Sequence, residues 1–237
     1  MHASFRLMLL VVSFHLLSLT LRAEDLGIVR VVTRATRDKP SGHFTATHVG
    51  NGLLLTCGHC CRYAGGPQAG VDVRILAMEE RTPIRTETGT VLCLDQAADV
   101  GFIRFDREDV LSTAYALAPQ SYALSVGLPV LQYTWKVPGG ERLYSVRSTI
   151  SSVNLFLGPA NIETLRAPVQ GDSGAPLVSR ADGCIIGVTT GADPWNRFGV
   201  HAGVAAVHDL AARCQLQLPT RPGIPAVLPA TLQSVQP

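Results

Sequence analysis

The sequence predicts an all-β fold, and two observations carry that expectation. Short β-rich runs separated by turn residues fill most of the chain, and only one segment has helical periodicity. Many short strands at this spacing fit barrels or sandwiches rather than βαβ units. No internal repeat of fixed period is present.

Taken in order, the chain opens on a leader. Arg6 supplies a positive start, and residues 7–21 are apolar apart from Ser13, His15, Ser18 and Thr20. Arg22-Ala23 then precedes the acidic pair Glu24-Asp25. This order predicts a signal peptide over 1–23, cleaved after Ala23, and so a secreted or periplasmic protein. An uncleaved anchor is the rival reading, but the stretch falls short of the roughly 20 apolar residues that span a bilayer. No later apolar run could cross a membrane, so no stable insertion is expected after cleavage.

The first set of strands is expected at 28–33, 44–49, 53–56, 71–77, 90–94 and 100–105. A second set is expected at 121–126, 131–137, 142–150, 162–165, 175–178 and 184–190. Turn signals such as Gly65-Gly66-Pro67, Pro138-Gly139-Gly140 and Ala181-Asp182-Gly183 punctuate them. Val204, Val207, Leu210, Ala211 and Cys214 recur at helical spacing, which predicts a terminal helix with one apolar face. Beyond it, Pro219, Pro222, Pro225, Pro229 and Pro237 break up a nearly uncharged tail, expected to be extended or disordered.

Charge narrows the function classes. Cleavage removes Arg6 and Arg22, so 20 basic residues become 18 and balance the 18 acidic ones. Nucleic-acid binding needs a concentrated basic surface, so no nucleic-acid partner is expected. All six cysteines (57, 60, 61, 93, 184 and 214) follow the leader. An exported chain meets oxidising conditions, so disulfides are expected, with the pairing left open.

Three segments carry chemistry. In Gly171-Asp172-Ser173-Gly174-Ala175-Pro176, a serine sits in a glycine-rich turn. A serine hydroxyl needs a neighbouring base to act as a nucleophile. The glycines let the backbone curl so that the N–H groups of Gly171 and Ser173 converge on a developing oxyanion. The apolar run Leu53-Leu54-Leu55-Thr56 leads into Cys57-Gly58-His59-Cys60, which places an imidazole at a strand end as a general base. Ala98-Asp99-Val100-Gly101 puts an acid directly before a β-run, where it could orient that imidazole. Asp95 competes for this role; Asp99 is favoured because the strand starts right after it.

His59, Asp99 and Ser173 follow in that order, separated by 40 and 74 residues. With these boxes the chain resembles the trypsin/chymotrypsin-like serine proteases, including their bacterial heat-shock branch. Residues 56–60 look like the family's Thr-Ala-Ala-His-Cys box and residues 99–102 like its Asp-Ile-Ala-Leu box. Residues 171–176 look like its Gly-Asp-Ser-Gly-Gly-Pro box, with Ala175 in place of a glycine. An α/β-hydrolase would instead place Gly-x-Ser-x-Gly before its acid and histidine.

The resemblance implies two six-stranded antiparallel β-barrels of the chymotrypsin type with a C-terminal helix. The first barrel would span 24–115 and carry His59 and Asp99. The second would span 116–215 and carry Ser173 and the helix, with 216–237 as the tail. It implies a serine endopeptidase acting on proteins or peptides through an acyl-enzyme, with no cofactor. A catalytically silent, protease-like binding module is the alternative. Substrate contacts would come from Ala167 at the pocket base, from Thr189, Thr190 and Gly191 on one strand, and from Gly199. The uncharged base argues against Arg or Lys selectivity; Asp193 lies in a nearby loop and could spoil that inference. His201 reads as a core histidine, with recognition of an acidic side chain as the alternative.

Two departures from the family pattern matter. Its usual cysteine partner for Cys60 is absent from 43–46, which leaves Cys93, a rearranged Cys57/Cys61 pair or a free thiol. Zinc at Cys57, His59, Cys60, Cys61 and Cys93 is a rival reading, and no metal is expected. The family's Ile-Val-Gly-Gly start is also missing. Asp172 is therefore expected to find a local donor rather than a new N-terminus.

Overall fold

The computed structural model describes residues 27–37, 39–76, 83–136, 142–155, 161–193, 195 and 197–219. The expected leader and nearly all of the proline-rich tail lie outside the described residues. So do residues 77–82 and 137–141, the latter containing the expected turn Pro138-Gly139-Gly140.

Six strands close the first barrel: β1 (Ile28–Thr33), β2 (His43–Gly50), β3 (Leu53–Thr56), β4 (Gly70–Leu76), β5 (Pro83–Asp95) and β6 (Val100–Phe105). Their order around the barrel is β1-β2-β3-β6-β5-β4, with every pair antiparallel. The second barrel closes in the order β10-β11-β12-β9-β8-β7. It consists of β7 (Pro129–Lys136), β8 (Arg142–Val153), β9 (Asn161–Thr164), β10 (Pro176–Ser179), β11 (Ile185–Ala192) and β12 (Gly199–Gly203). The all-β fold of two six-stranded antiparallel barrels is the one expected.

The strand that leads to His59 is buried on both faces. Leu53, Leu54 and Leu55 are each at most 1% exposed, and Leu54 and Leu55 pair with Ile103 and Phe102 of β6. One face fills the barrel interior and the other meets neighbouring elements, so the run is continuously apolar rather than alternating. Burying each leucine contributes roughly 1.5–3 kcal/mol relative to exposure, which anchors the end of β3 firmly.

Two helices complete the described structure: α1 (Gly58–Ala64) and α2 (Val204–Arg213). The predicted apolar face of α2 is real. Val207, Leu210 and Ala211 join the core cluster that contains the first-barrel residues Leu53–Leu55 and Phe102. Helix α2 therefore bridges the two barrels, packing against β5 and β6 of the first and β11 and β12 of the second. Leu216 and Leu218, at the start of the expected tail, also pack against this core. Neither helix is long and apolar enough to cross a membrane.

Two expectations need correction. Residues 121–126 are not a strand, although Tyr122 and Leu124 alternate with smaller residues. Tyr122 N–H closes a turn onto the Pro119 carbonyl at 2.9 Å, and its hydroxyl donates to Ser179 Oγ at 3.0 Å. The alternation serves packing of Tyr122 and Leu124 against the second core, without a ladder. The sixth strand of that barrel is instead β12, bonded to both β9 and β11. The second correction is α1: His59 stands in the first turn of a short helix rather than at a bare strand end.

Candidate active site

His59 is placed by β3, the Cys57 cap and the first turn of α1. Asp99 sits one residue before β6 with φ +57°, a left-handed conformation that Asp tolerates better than most residues. From there its carboxylate grips His59 twice. Oδ1 accepts the His59 backbone N–H at 2.6 Å, and Oδ2 lies 2.8 Å from Nδ1. The Asp99 contact, followed by that of Cys57, raises the His59 pKa well above its ordinary 6.5. Asp95, the competitor, is occupied elsewhere. Its Oδ1 accepts the N–H groups of Ala97 and Ala98, and its other oxygen pairs with Arg213.

The Ser173 turn is held from both barrels. Thr45 of β2 donates its N–H to the Ser173 carbonyl at 2.9 Å and its hydroxyl to the Gly171 carbonyl at 2.8 Å. From the other side, Gly174 N–H reaches the Thr189 carbonyl at 2.8 Å, and Thr189 N–H returns to the Ala175 carbonyl. Gly174 has φ +86°, and a Cβ there would lie 2.0 Å from the Thr45 carbonyl oxygen and 2.1 Å from Thr56 Oγ1. Only glycine allows the two barrels to meet this closely. Gly171 has φ +99°. Among the described residues no backbone carbonyl accepts the N–H of Gly171 or Ser173.

Ser173, Gly171 and His59 line one cleft of about 640 Å³ together with His43, Phe44, Cys60 and Tyr63. Ser173 makes no side-chain hydrogen bond to His59 among the described residues; His59 Nε2 lies 3.6 Å from Cys57 Sγ. Asp172 is buried, and its Oδ2 accepts the Val169 N–H at 2.9 Å, a local donor of the kind anticipated.

The five expected substrate-contact residues do not line this cleft. Gly191 faces open space. Gly199 does not: a Cβ there would lie 2.5 Å from the Arg166 carbonyl and 2.9 Å from His201 Nε2. Thr190 Oγ1 donates to the Val200 carbonyl. Thr189 turns its hydroxyl inward to His201 Nδ1 at 3.2 Å. Ala167 lies half-buried in the segment between β9 and the Ser173 turn. His201 is fully buried and also contacts Thr164 Oγ1 at 2.9 Å, so it is a core histidine. Asp193 is absorbed by its own loop. The N–H groups of Phe198, Arg197 and Trp195 bind its carboxylate and hold its pKa below the usual range.

The expected disulfides are absent. All six cysteines are free thiols, with no pair at bonding distance. Cys61 packs instead at Gly101, where a Cβ would come within 2.5 Å of its sulfur. Sequence reasoning also missed Thr45, because nothing adjacent to it in the chain marks its contact with a turn 126 residues away.

A family model for the trypsin-like peptidase domain matches residues 41–188, which include His59, Asp99 and Ser173. The chain belongs to the trypsin-like peptidase family. It is by that membership a serine-type endopeptidase, a hydrolase. Several solved structures repeat the fold. The active form of the Rv3671c protease from M. tuberculosis is 20% identical, with a TM-score of 0.60 over 85% of this chain and 86% of that one. The HtrA-type protease AlgW with a tripeptide is 19% identical, with a TM-score of 0.62 over 80% of this chain and 60% of its own. The serine endoprotease from Yersinia pestis is 17% identical, with a TM-score of 0.62 over 81% and 64%. At these identities the likeness shows the fold. No curated protein matches.

Proposed function

We propose that this trypsin-like peptidase is exported and hydrolyses peptide bonds through an acyl-enzyme on Ser173. His59 takes the Ser173 proton and later gives it to the leaving amine. Asp99 holds the imidazole and stabilises its charged form, and the N–H groups of Gly171 and Ser173 receive the oxyanion. One observation carries this reading: a carboxylate-held imidazole, Ser173 and Gly171 line a single cleft. Catalytic hydrogen bonds often tighten only with substrate in place, which accounts for the open Ser173–His59 contact.

Of the expected set, Ala167, Thr190 and Gly191 would meet the side chain before the scissile bond, since Thr189 is buried against His201 and the space at Gly199 is filled. The engagement of the Asp193 carboxylate by its own loop supports a pocket without selectivity for Arg or Lys. The Val169–Asp172 bond supports activity without a newly cut N-terminus.

Labelling with an active-site-directed fluorophosphonate tests the assignment. Label should map to Ser173, disappear in Ser173→Ala and fall sharply in His59→Ala. Folded protein that never labels would refute the peptidase mechanism and point to a silent binding module. Equal labelling of forms starting at several positions from 24 to 28 is the expected result for activation.

A further inference from the structure

Cys57 has no part in the proposed peptidase chemistry, yet its sulfur lies within contact distance of His59 Nε2. Cys57 caps α1, and Cys60 follows three residues later, on the same side of the first turn. The two sulfurs and a His59 ring nitrogen lie within 4.8 Å of one another. Both cysteines are buried, at 0% and 5% exposure, while His59 and Cys60 border the cleft.

Coordination chemistry gives this cluster a specific meaning. Tetrahedral zinc has Zn–S near 2.3 Å and Zn–N near 2.0–2.1 Å, so neighbouring sulfur and nitrogen ligands stand about 3.5 Å apart. Cys57 Sγ and His59 Nε2 stand 3.6 Å apart. A metal-binding histidine also commonly donates its other ring N–H to a carboxylate, which fixes the tautomer and aims the lone pair. Asp99 does this at Nδ1, 2.8 Å away. Cys61 is excluded from the set by its packing at Gly101.

We propose that Cys57, His59 and Cys60 form a three-donor site for a thiophilic metal ion of the zinc class, with a fourth position open to the cleft. Thiolates select such ions over hard cations. The bound ion occupies His59 Nε2, the atom that would take the Ser173 proton, so metal binding and peptide hydrolysis exclude each other. That consequence rests on the peptidase reading; the site itself does not. No bond is oxidised or reduced: the thiol protons of Cys57 and Cys60, and the Nε2 proton that the raised His59 pKa retains near neutral pH, leave to solvent as the metal binds.

The test uses the leaderless chain, reduced and kept anaerobic, titrated with Co²⁺ and then Zn²⁺. The expected result is one equivalent of Co²⁺ with a thiolate-to-cobalt charge-transfer band, displaced by Zn²⁺. Cys57→Ser, Cys57→Ala and Cys60→Ser should each weaken binding by more than the roughly 10–100-fold that loss of an outer-shell partner costs, and Asp99→Asn by about that factor. If the buried Cys57 variants do not fold, Cys60→Ser carries the comparison alone. Zn²⁺ should also suppress fluorophosphonate labelling of Ser173, and a chelator should restore it. A missing band, a band retained in Cys60→Ser, or a Cys57–Cys60 disulfide that survives reduction would overturn the site. Normal labelling with no band refutes the metal site and keeps the peptidase; a band lost in the variants of a chain that never labels keeps the metal site and refutes the peptidase.

Discussion

His201 makes acid sensitivity a direct test of the buried architecture behind β11 and β12. Its ring is fully buried, with Nε2 at 2.9 Å from Thr164 Oγ1 and 3.2 Å from the Gln132 amide nitrogen, and Nδ1 at 3.2 Å from Thr189 Oγ1. There is no carboxylate in this contact set to stabilise a second proton. Burial therefore pushes the pKa down to about 3, against 6.5 for a free histidine. The unfolded chain takes up the proton first, so acidification between those values favours unfolding. At pH 5 the unfolded state has gained protonation over about 1.5 pH units, at about 1.36 kcal/mol each, a penalty of about 2 kcal/mol. At pH 7 it is only about 0.2 kcal/mol by the same linkage. Urea unfolding of the wild-type chain and of His201→Gln at pH 7 and pH 5 reads this out. His59 titrates with the opposite sign because Asp99 raises its pKa, but it does so in both proteins and cancels. The wild type should lose about 2 kcal/mol more than the variant on going to pH 5. Losses equal within about 0.5 kcal/mol, the usual limit of additivity, would refute the claim that His201 is buried and neutral.

Three further outcomes follow from the geometry. Gly174→Ala puts a methyl group onto the Thr45 carbonyl at positive φ, and should cost more than about 4 kcal/mol in thermal unfolding, the range of severe core lesions. Thr45→Val keeps the shape but leaves the Gly171 carbonyl without its donor; it should cost about 1–3 kcal/mol and slow fluorophosphonate labelling, and an unchanged labelling rate would show that Thr45 does not position the turn. Asp193→Asn removes the charged acceptor of three N–H groups whose bonds depress its pKa. The wild-type advantage should be complete above about pH 4 and vanish as the pH falls through the depressed native value, read as converging urea midpoints.

Contiguous segments were legible in the sequence because their geometry is local. Gly171–Pro176 encodes a tight turn through two glycines, and Leu53–Thr56 encodes a buried strand by its apolar run. Asp99 abuts β6 in both sequence and space. The 121–126 segment misled because alternation reports which side chains pack, not whether the backbone finds a ladder partner. Gly199 was expected only as a substrate contact, and the place of Gly199–Gly203 as a strand depends on pairing with β9 and β11.

By itself the sequence determined the all-β class, the order His59, Asp99, Ser173 and the apolar face of α2, since each depends on neighbours or on a short period. The tertiary structure decided the rest. Packing of α2 on β5 engages Asp95 with Arg213, and Asp99 is left to His59. The fold brings Thr45 to the Ser173 turn, turns Thr189 inward and seals His201 in the core. It also brings no two cysteines to bonding distance, because pairing depends on backbone distances that spacing along the chain does not specify.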